Sequence, residues 1–232
     1  MTTNYKVIIE FNGLPGTGKS TIANRLQSDL EEDGYATYLI YRKHPRLLSM
    51  FFLLFDYRAW LIFFRSLCLM RSIKSNEIKQ KIRRAKLFVV FYEMYNDFLK
   101  YSNSGVLIMD QGILQNVISS IHLDKEININ KVRDLLEVYR NSRITFLRID
   151  CNLDIEIASN RINKRTHGES RVDLLDENER VKILIQQANL FKVVRDCFSV
   201  YYSACQSFSI DTKCSVEENT EKIVSIIKSH FV

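Results

Sequence analysis

Residues 5–21, YKVIIEFNGLPGTGKST, carry the pattern that decides the fold of this 232-residue chain. The β-branched and apolar run over 5–11 predicts a buried strand, and the segment 20–32 repeats apolar residues at helical spacing. Between them, Gly13 to Ser20 fits the pattern G-x-x-x-x-G-K-[ST]. The stretch therefore predicts a strand, a phosphate-binding loop and a helix whose N-terminus faces the phosphates.

The residues of this loop have expected parts in binding a nucleoside triphosphate and a metal ion. Glycines let backbone N–H groups turn inward around the phosphates, Lys19 would bridge the β- and γ-phosphates, and the Ser20 hydroxyl would be a Mg²⁺ ligand. We therefore expect ATP and Mg²⁺ as the bound groups. The residues expected to bind the nucleotide are Gly13, Pro15, Gly16, Thr17, Gly18, Lys19, Ser20 and Thr21.

Composition places the chain among folded, helix-rich proteins. Hydrophobic residues make up 46% of it and charged residues 26%, which excludes a disordered or collagen-like chain. Seven glycines and two prolines occur in 232 residues, far below the usual share of about 7% and 5%, and this scarcity favours helix. Three of the seven glycines lie within 13–18, which makes that loop the first candidate for a site.

Four further strands are predicted from short apolar or β-branched runs, at 35–41, 106–110, 144–150 and 207–211. Gly34 marks the end of the first helix, and Ser215 and Glu218 have the spacing of a capping box before the last helix. Strands separated by helical stretches favour parallel pairing through right-handed crossovers. We therefore expect one α/β domain over 1–232 with a three-layer P-loop NTPase fold, in which helices cover both faces of a five-stranded parallel sheet.

A helical insert is expected between the second and third strands, over 44–105, as the region that binds the acceptor. Its first part, 47–70, is apolar but is interrupted by Asp56, Arg58 and Arg65, so it lacks the ~20 uninterrupted apolar residues of a membrane span. A buried helical hairpin is favoured, with docking on a membrane surface and an apolar substrate pocket left open. Arg58 and Arg65 would share one helix face, where both could reach a common anion.

The positive charge of the chain is local. The formal net charge is +6, and 71–86 holds seven Lys or Arg residues against Glu77 alone, so the remainder is neutral. Such a segment is either a solvated helix face or a contact for phosphates, anionic lipid or nucleic acid. The five cysteines include no C-x-x-C pair and the N-terminus shows no signal-peptide pattern, so we expect reduced thiols and a cytoplasmic protein.

Missing motifs separate the classes of nucleotide-binding protein. A GTPase would need D-x-x-G and N-K-x-D, but 163–166 (NKRT) lacks the final Asp and Gly112 follows Asp110 too closely. The sequence shows no transporter-ATPase signature, and its length leaves little room for the lid domain of a ring ATPase. A phosphotransferase remains.

Several segments, in order along the chain, resemble the thymidylate kinase-like branch of the P-loop kinases, which includes nucleoside and nucleoside monophosphate kinases. The matching segments are IEFNGLPGTGKST (9–21), Tyr41-Arg42, LIMDQ (107–111), Arg161-x-x-x-Arg165 with Arg171, and Ile210-Asp211 before the last helix. The resemblance implies that Arg42 contacts the acceptor, that Arg171 binds the nucleotide and that 161–175 is an arginine-bearing lid. One departure is Gln111, because the family usually has Arg after the acid of the third strand.

Three polar residues have expected roles from their own chemistry. Asp110, at the carboxyl end of the third strand, could hold Mg²⁺ through water, accept a hydroxyl proton, or simply cap the next helix. Arg161 and Arg165, one helical turn apart on the same helix face, could both bind the phosphoryl group while it is transferred and stabilise its negative charge. The alternative for these arginines is ion pairing with Glu156 and Asp173.

The residues expected at the acceptor are Arg42, Gln111 and Tyr92. Arg42 follows the second strand into the crevice, with a position on the surface as the alternative. The aromatic residues of 88–101 recur at helical spacing, which favours a core helix, and lining of the acceptor pocket by Tyr92 and Glu93 is the alternative.

These features predict an ATP-dependent kinase that transfers the γ-phosphoryl group to a nucleoside- or nucleotide-like small molecule. We expect no nucleic-acid partner. Two alternatives stay open: a kinase for a sugar, polyol or lipid-linked alcohol, and a non-kinase module that binds nucleic acid or an anionic membrane through 71–86. Weak contact of 47–86 with an anionic surface and formation of a homodimer also stay open.

Overall fold

The computed structural model describes residues 6–40, 56–71, 78–102, 104–121, 128–139, 145–165, 171–201 and 205–231. Its strands are β1 Lys6–Asn12, β2 Thr37–Ile40, β3 Gly105–Met109, β4 Thr145–Asn152 and β5 Cys205–Asp211. They pair in parallel in the order β2-β3-β1-β4-β5. The predicted five-stranded parallel sheet is therefore confirmed, with each strand close to its predicted bounds.

Helices cover both faces of this sheet. They are α1 Lys19–Glu32, α2 Tyr57–Arg71, α3 Ile78–Tyr101, α4 Ile113–Ile121, α5 Ile129–Val138, α6 Ile155–Asn163, α7 Glu177–Tyr201 and α8 Val216–Phe231, with a 3₁₀ turn at Arg171–Leu174. Successive side chains of a strand point to opposite faces, so Ile8 packs into the core with α2, α3, α4, α5 and α7, whereas Val7 and Ile9 pack with α1 and α8. The predicted three-layer α/β fold is confirmed.

The strand order determines where a ligand can bind. The chain runs from β1 outward to β2, returns through β3, and crosses to β4 on the other side of β1. In open parallel sheets the ligand crevice lies at the carboxyl ends of the strands, where the order reverses. The loops that follow β1, β3 and β4 therefore meet at one edge of the sheet.

Two predicted helix ends are confirmed. Gly34 follows α1 with a φ of 84°, and the Tyr35 N–H donates to the Leu30 carbonyl oxygen at 2.9 Å, as in a glycine-terminated helix. At the start of α8, the Ser215 Oγ accepts a hydrogen bond from the Glu218 N–H at 3.1 Å.

Helices α2 and α3 occupy the predicted insert and pack against each other. The described part of the apolar segment is one helix with two different sides: Ala59 and Ile62 are buried, whereas Trp60 and Phe64 are exposed and stack on each other at 5.4 Å between ring centres. Residues 47–55 lie outside the described residues. Among the helices that the structure describes, none is long and apolar enough to cross a membrane.

Arg65 binds residues of α5, whereas the sequence suggested that it could share an anion with Arg58. Its guanidinium lies 3.6 Å from the Glu137 carboxylate and donates to the Asp134 carbonyl oxygen, both on α5. Arg58 lies near the start of α2 and is exposed. Because Arg65 is held by α5, it fastens the insert to the rest of the fold.

Candidate active site

The phosphate loop lies where the sequence predicts it, between the end of β1 at Asn12 and the start of α1 at Lys19. Its three glycines have positive φ angles, which glycine adopts without strain. Thr17 closes the turn, because its backbone N–H and its hydroxyl both donate to the Leu14 carbonyl oxygen, at 3.3 and 2.9 Å. The loop is thus held in shape by its own hydrogen bonds, with Ser20 and Thr21 exposed on the first turn of α1.

Gly16 brings this loop against α6. Its φ is +85°, and a Cβ built there would lie 2.6 Å from the Ala158 carbonyl oxygen and 3.1 Å from Ile162 Cγ1. A side chain at this position would therefore force the helix away. Because the approach is this close, α6 and Arg161 on it have a fixed place relative to the loop.

Lys19 is 7% exposed, and its ammonium group lies inside the loop. Its Nζ donates to the carbonyl oxygens of Gly13 at 2.9 Å and Leu14 at 2.7 Å, and to Thr17 Oγ1 at 3.2 Å. Burial lowers the pKa of Lys19 to about 8, although the Asp110 carboxylate acts in the opposite direction. The loop therefore presents a desolvated cation, and phosphate oxygens would be better acceptors for it than neutral carbonyl groups.

Ser20 and Asp110 meet across the crevice. The Ser20 Oγ donates to Asp110 Oδ2 at 2.9 Å, whereas the buried Oδ1 has no hydrogen-bond partner among the described residues. Burial raises the pKa of the Asp110 carboxyl, and the Ser20 hydrogen bond and the charge of Lys19 lower it in part. A hydroxyl and a carboxylate with a free oxygen suit Mg²⁺, which takes few protein ligands and keeps water or phosphate oxygens as the others.

Arg161 lies on α6 beside the phosphate loop. Its Nη1 is 3.9 Å from the position that a Cβ on Gly18 would take, and its Nη2 donates to the Thr212 carbonyl oxygen at 2.9 Å. The guanidinium therefore bridges the loop and the segment that follows β5.

Arg165 does not share a helix face with Arg161, contrary to the prediction. Helix α6 ends at Asn163, and the Arg165 N–H donates to the Ile162 carbonyl oxygen at 3.1 Å, a tighter turn than an α-helix makes. The Arg165 Nη1 lies 3.6 Å from Asp173 Oδ1. The ion pair with Asp173 was the alternative for this residue, yet Arg165 is still near enough to Lys19 to lower the pKa of Lys19.

Of the three residues predicted at the acceptor, the structure describes Gln111 and Tyr92. Gln111 directly follows Asp110 and is half-buried. Tyr92 belongs to the core, because it is 4% exposed, lies edge-on to Tyr139 at 6.2 Å between ring centres, and donates its hydroxyl to Asp56 Oδ2 at 3.2 Å. Arg42 and residues 166–170 of the predicted lid lie outside the described residues, as does the Arg171 side chain.

Comparison with known proteins identifies the fold. No family model and no curated protein matches the sequence. Two solved structures of deoxyadenosine kinase from M. mycoides match almost the whole chain. The one with bound dATP is 17% identical with a TM-score of 0.55, over 96% of this chain and 100% of the kinase. The one with the products dCMP and dCDP is 18% identical with a TM-score of 0.51, over 96% and 99%. The chain has a P-loop kinase fold.

Glu10 is a buried charged residue of this P-loop kinase fold for which the sequence predicts no role. It lies on β1, is fully buried, and its Oε1 accepts a hydrogen bond from the Leu114 N–H at 2.7 Å. Burial raises the pKa of Glu10 to about 7, against the effects of this hydrogen bond and of Arg148. The signal in the sequence is one acid in an otherwise apolar strand, VIIEF.

A groove of about 940 Å³ opens beside the phosphate loop of the P-loop kinase fold, between the ends of β4 and β5 and helix α7. Four of the charged residues that line it form two ion pairs: Lys213 Nζ lies 2.6 Å from Asp154 Oδ2, and Arg195 lies 3.8 Å from Asp150 Oδ2. Lys19, Ser20 and Asp110 do not line it. The groove therefore lies beside the candidate reaction centre, not within it.

Glu10 is expected to make the stability of the fold depend on pH. Its pKa is about 7 in the folded chain against 4.5 ordinarily, so the folded state holds more protons than the unfolded state between these values. The contribution of Glu10 to the free energy of unfolding then falls by about 3 kcal/mol as the pH rises from 4.5 to 8. Urea unfolding between pH 5 and 8 measures this, and Glu10→Gln should remove that part of the slope.

The control for this prediction is Glu221→Gln, which changes an exposed carboxylate on α8. This variant should keep the pH slope of the wild-type chain. Equal slopes for the wild-type chain and Glu10→Gln would contradict the assignment of the slope to Glu10.

Proposed function

We propose that this chain is an ATP- and Mg²⁺-dependent phosphotransferase that phosphorylates a hydroxyl group of a nucleoside. The observation that carries the proposal is the hydrogen bond between Ser20 and Asp110 beside the buried Lys19 ammonium. A hydroxyl, a carboxylate and a cation thus meet at the phosphate loop of a P-loop kinase fold. Phosphoryl transfer asks the protein for positioning and charge stabilisation, and these groups supply both.

Each of these residues would have one part in the reaction. Lys19 would exchange its bonds to loop oxygens for bonds to the β- and γ-phosphates. Ser20 and Asp110 would hold Mg²⁺, which when bound neutralises charge on the phosphates. Because Ser20 fixes one oxygen of the Asp110 carboxylate, the other oxygen is oriented to accept a hydroxyl proton, directly or through water.

The segment 161–175 would act as a lid. Arg161 and Arg165 now bind the Thr212 carbonyl oxygen and the Asp173 carboxylate. On closure, both guanidinium groups would instead bind oxygens of the phosphoryl group that is being transferred. They would stabilise the negative charge that spreads over these oxygens in the transition state.

A nucleoside acceptor fits the chain better than a nucleotide. The amide of Gln111 carries no charge, so it offers an acceptor phosphate none of the charge-assisted hydrogen bonds that an arginine would make. Both reported structural neighbours are named deoxyadenosine kinases, and deoxyadenosine is a nucleoside.

The proposed function is tested by the mass of the product. The purified chain is incubated with ATP and Mg²⁺ and, in separate reactions, with nucleosides, nucleoside monophosphates and a panel of sugars and polyols. We expect phosphorylated product from one or more nucleosides and none with the Lys19→Ala variant. A product from sugars or polyols alone would replace the acceptor class and keep the kinase.

A further arm of the same experiment tests the non-kinase alternative. The basic segment 71–86 would predict ATP hydrolysis that nucleic acid or anionic vesicles stimulate and that added salt suppresses. Such stimulation, with no phosphorylated small molecule in any reaction, would contradict the proposed kinase.

Asp110→Asn is expected to lower kcat by about 100-fold and to raise the Mg²⁺ concentration needed for half-maximal rate. The amide oxygen can still accept the Ser20 hydrogen bond, so the fold should keep its stability, but the amide has no negative charge for the metal. Initial rates over a Mg²⁺ titration measure both effects. Asp29→Asn is the matched control, because Asp29 pairs with Arg25 on the outer surface of α1. An unchanged Mg²⁺ dependence in Asp110→Asn would exclude Asp110 from the metal site.

A further inference from the structure

Helix α4 begins without a capping side chain of its own. Its first residue is Ile113, and the residue before it, Gly112, has no side chain to accept the free N–H groups of the first turn. A helix normally meets these donors with a Ser, Thr, Asp or Asn at that position, bonded to the second or third N–H of the helix.

Glu10 supplies the missing acceptor from another strand. Its Oε1 accepts from the Leu114 N–H at 2.7 Å, and the Gln115 N–H is close enough to this carboxyl group to lower its pKa. These are the second and third residues of α4, the ones that a local cap would serve. A carboxylate 104 residues earlier in the chain therefore performs the capping.

Gly112 is needed because the Glu10 carboxyl group occupies the space of a side chain there. A Cβ on Gly112 would overlap the Glu10 side chain, with Oε1 2.5 Å from it. Gly112 has no positive φ, so its backbone conformation alone would permit other residues. Glu10 and Gly112 are thus complementary: one provides the cap and the other leaves room for it.

Charged and titratable groups surround Glu10 from the neighbouring elements. On β4, Arg148 is its direct neighbour in the sheet and Asp150 follows. Tyr139 at the end of α5 and Cys205 on β5 are close enough to interact electrostatically with Glu10, and Arg195 of α7 reaches Asp150. Arg148 and the N-terminus of α4 favour the carboxylate form, and burial opposes it.

The cap lies next to the candidate reaction centre. Only Asp110, Gln111 and Gly112 connect the end of β3 to α4. One end of this connection is held by the pairing of β3 with β1, and Glu10 holds the other end to β1. The same strand ends at Asn12, two residues after Glu10, and the phosphate loop begins at Gly13, so β1 sets the positions of both the loop and Asp110.

We propose that Glu10 is a positioning residue, which caps α4 from β1 and thereby fixes Asp110 and Gln111 relative to the phosphate loop. The inference deepens the proposed phosphoryl transfer and rests on it for its kinetic part. The capping itself is a property of the fold and can be measured without any substrate.

The test removes the cap that β1 provides and then supplies a cap from the residue directly before α4. In Glu10→Ala, the amides of Leu114 and Gln115 should exchange with solvent about tenfold faster, and kcat should fall at least ~10-fold. The dissociation constant of ATP, measured without acceptor, should stay within about twofold. Gly112→Ser alone should also lose turnover, because its side chain overlaps Glu10.

The double variant Glu10→Ala/Gly112→Ser is the decisive one. The space left by Glu10 admits the serine, whose hydroxyl caps α4 locally, so exchange rates and kcat should return to within about threefold of wild type. Glu10→Gln, which keeps one acceptor oxygen and nearly the same volume, should fall between wild type and Glu10→Ala.

Three outcomes overturn the inference: unchanged amide exchange in Glu10→Ala, unchanged kcat in that variant, or restored exchange without restored kcat in the double variant. A wild-type chain that phosphorylates no acceptor would contradict the proposed function instead. In that case the exchange rates of Leu114 and Gln115 still decide whether Glu10 is the cap.

Discussion

Lys19→Ala is expected to abolish phosphoryl transfer, with kcat lowered by at least ~10³-fold, while the chain stays folded. Lys19 is the cation within the phosphate loop, and loss of one preorganised donor to a developing charge alone costs about 10²–10³ in rate. Here the same ammonium also binds the nucleotide. Steady-state rates and ATP dissociation constants measure the two losses separately.

The stability of the Lys19→Ala variant should stay near that of the wild-type chain. The variant loses the hydrogen bonds of Nζ to Gly13, Leu14 and Thr17, but it also loses a buried charge. Because burial lowers the pKa of Lys19 from 10.5 to about 8, the unfolded state binds more protons between these values. The free energy of unfolding therefore rises with pH over 8 to 10.5 in the wild-type chain, by about 3 kcal/mol from Lys19, and this rise should be absent in the variant.

Lys222→Ala is the matched control, since Lys222 is exposed on α8 far along the chain from the loop. It should leave both turnover and the pH dependence of stability unchanged. Wild-type turnover in Lys19→Ala would contradict the proposed mechanism, whereas global unfolding of that variant would contradict only the stability argument.

Local sequence patterns and the adjacency of strands are enough to predict part of this site. The phosphate loop is a contiguous motif between an apolar strand and a periodic helix, so its position follows from neighbours in sequence. Asp110 lies beside Ser20 because β3 pairs directly with β1. Parallel strands end at the same edge of a sheet, so an acid after one strand and a hydroxyl after the next can be expected to meet.

Other parts depend on long-range packing that no local pattern contains. The end of α6 at Asn163 decides that Arg165 turns to Asp173, and helix ends shift by a residue or two with tertiary contacts. Glu10 in VIIEF resembles an isolated charge in a strand. Its capping role becomes visible only once α4, more than a hundred residues away, packs against β1. Likewise, the apolar segment of the insert has apolar residues on every side of its helix, so the sequence does not show which side is buried. In the structure Ile62 is buried and Trp60 is exposed.

Gly16→Ala is expected to reduce both stability and turnover through the contact between the phosphate loop and α6. Alanine in the left-handed conformation costs about 1 kcal/mol. The added carbon, 2.6 Å from the Ala158 carbonyl oxygen, must also push α6 away, and overpacking of this kind costs about 1–3 kcal/mol. Since α6 carries Arg161, its displacement by a fraction of an ångström to 1 Å should lower kcat by about 100-fold.

Gly34→Ala separates these two causes, because Gly34 has nearly the same φ, +84°, and nothing within 4 Å of an added Cβ. It should lose about 1 kcal/mol of unfolding free energy and keep wild-type kcat. The difference between the two variants in urea unfolding then measures the contact of Gly16 with α6. Equal losses of stability, together with wild-type kcat in Gly16→Ala, would mean that the loop tolerates the methyl group and that the position of α6 does not limit catalysis. A larger loss confined to Gly16→Ala, with kcat lowered and ATP still bound, would place the effect on Arg161 and the helix that carries it.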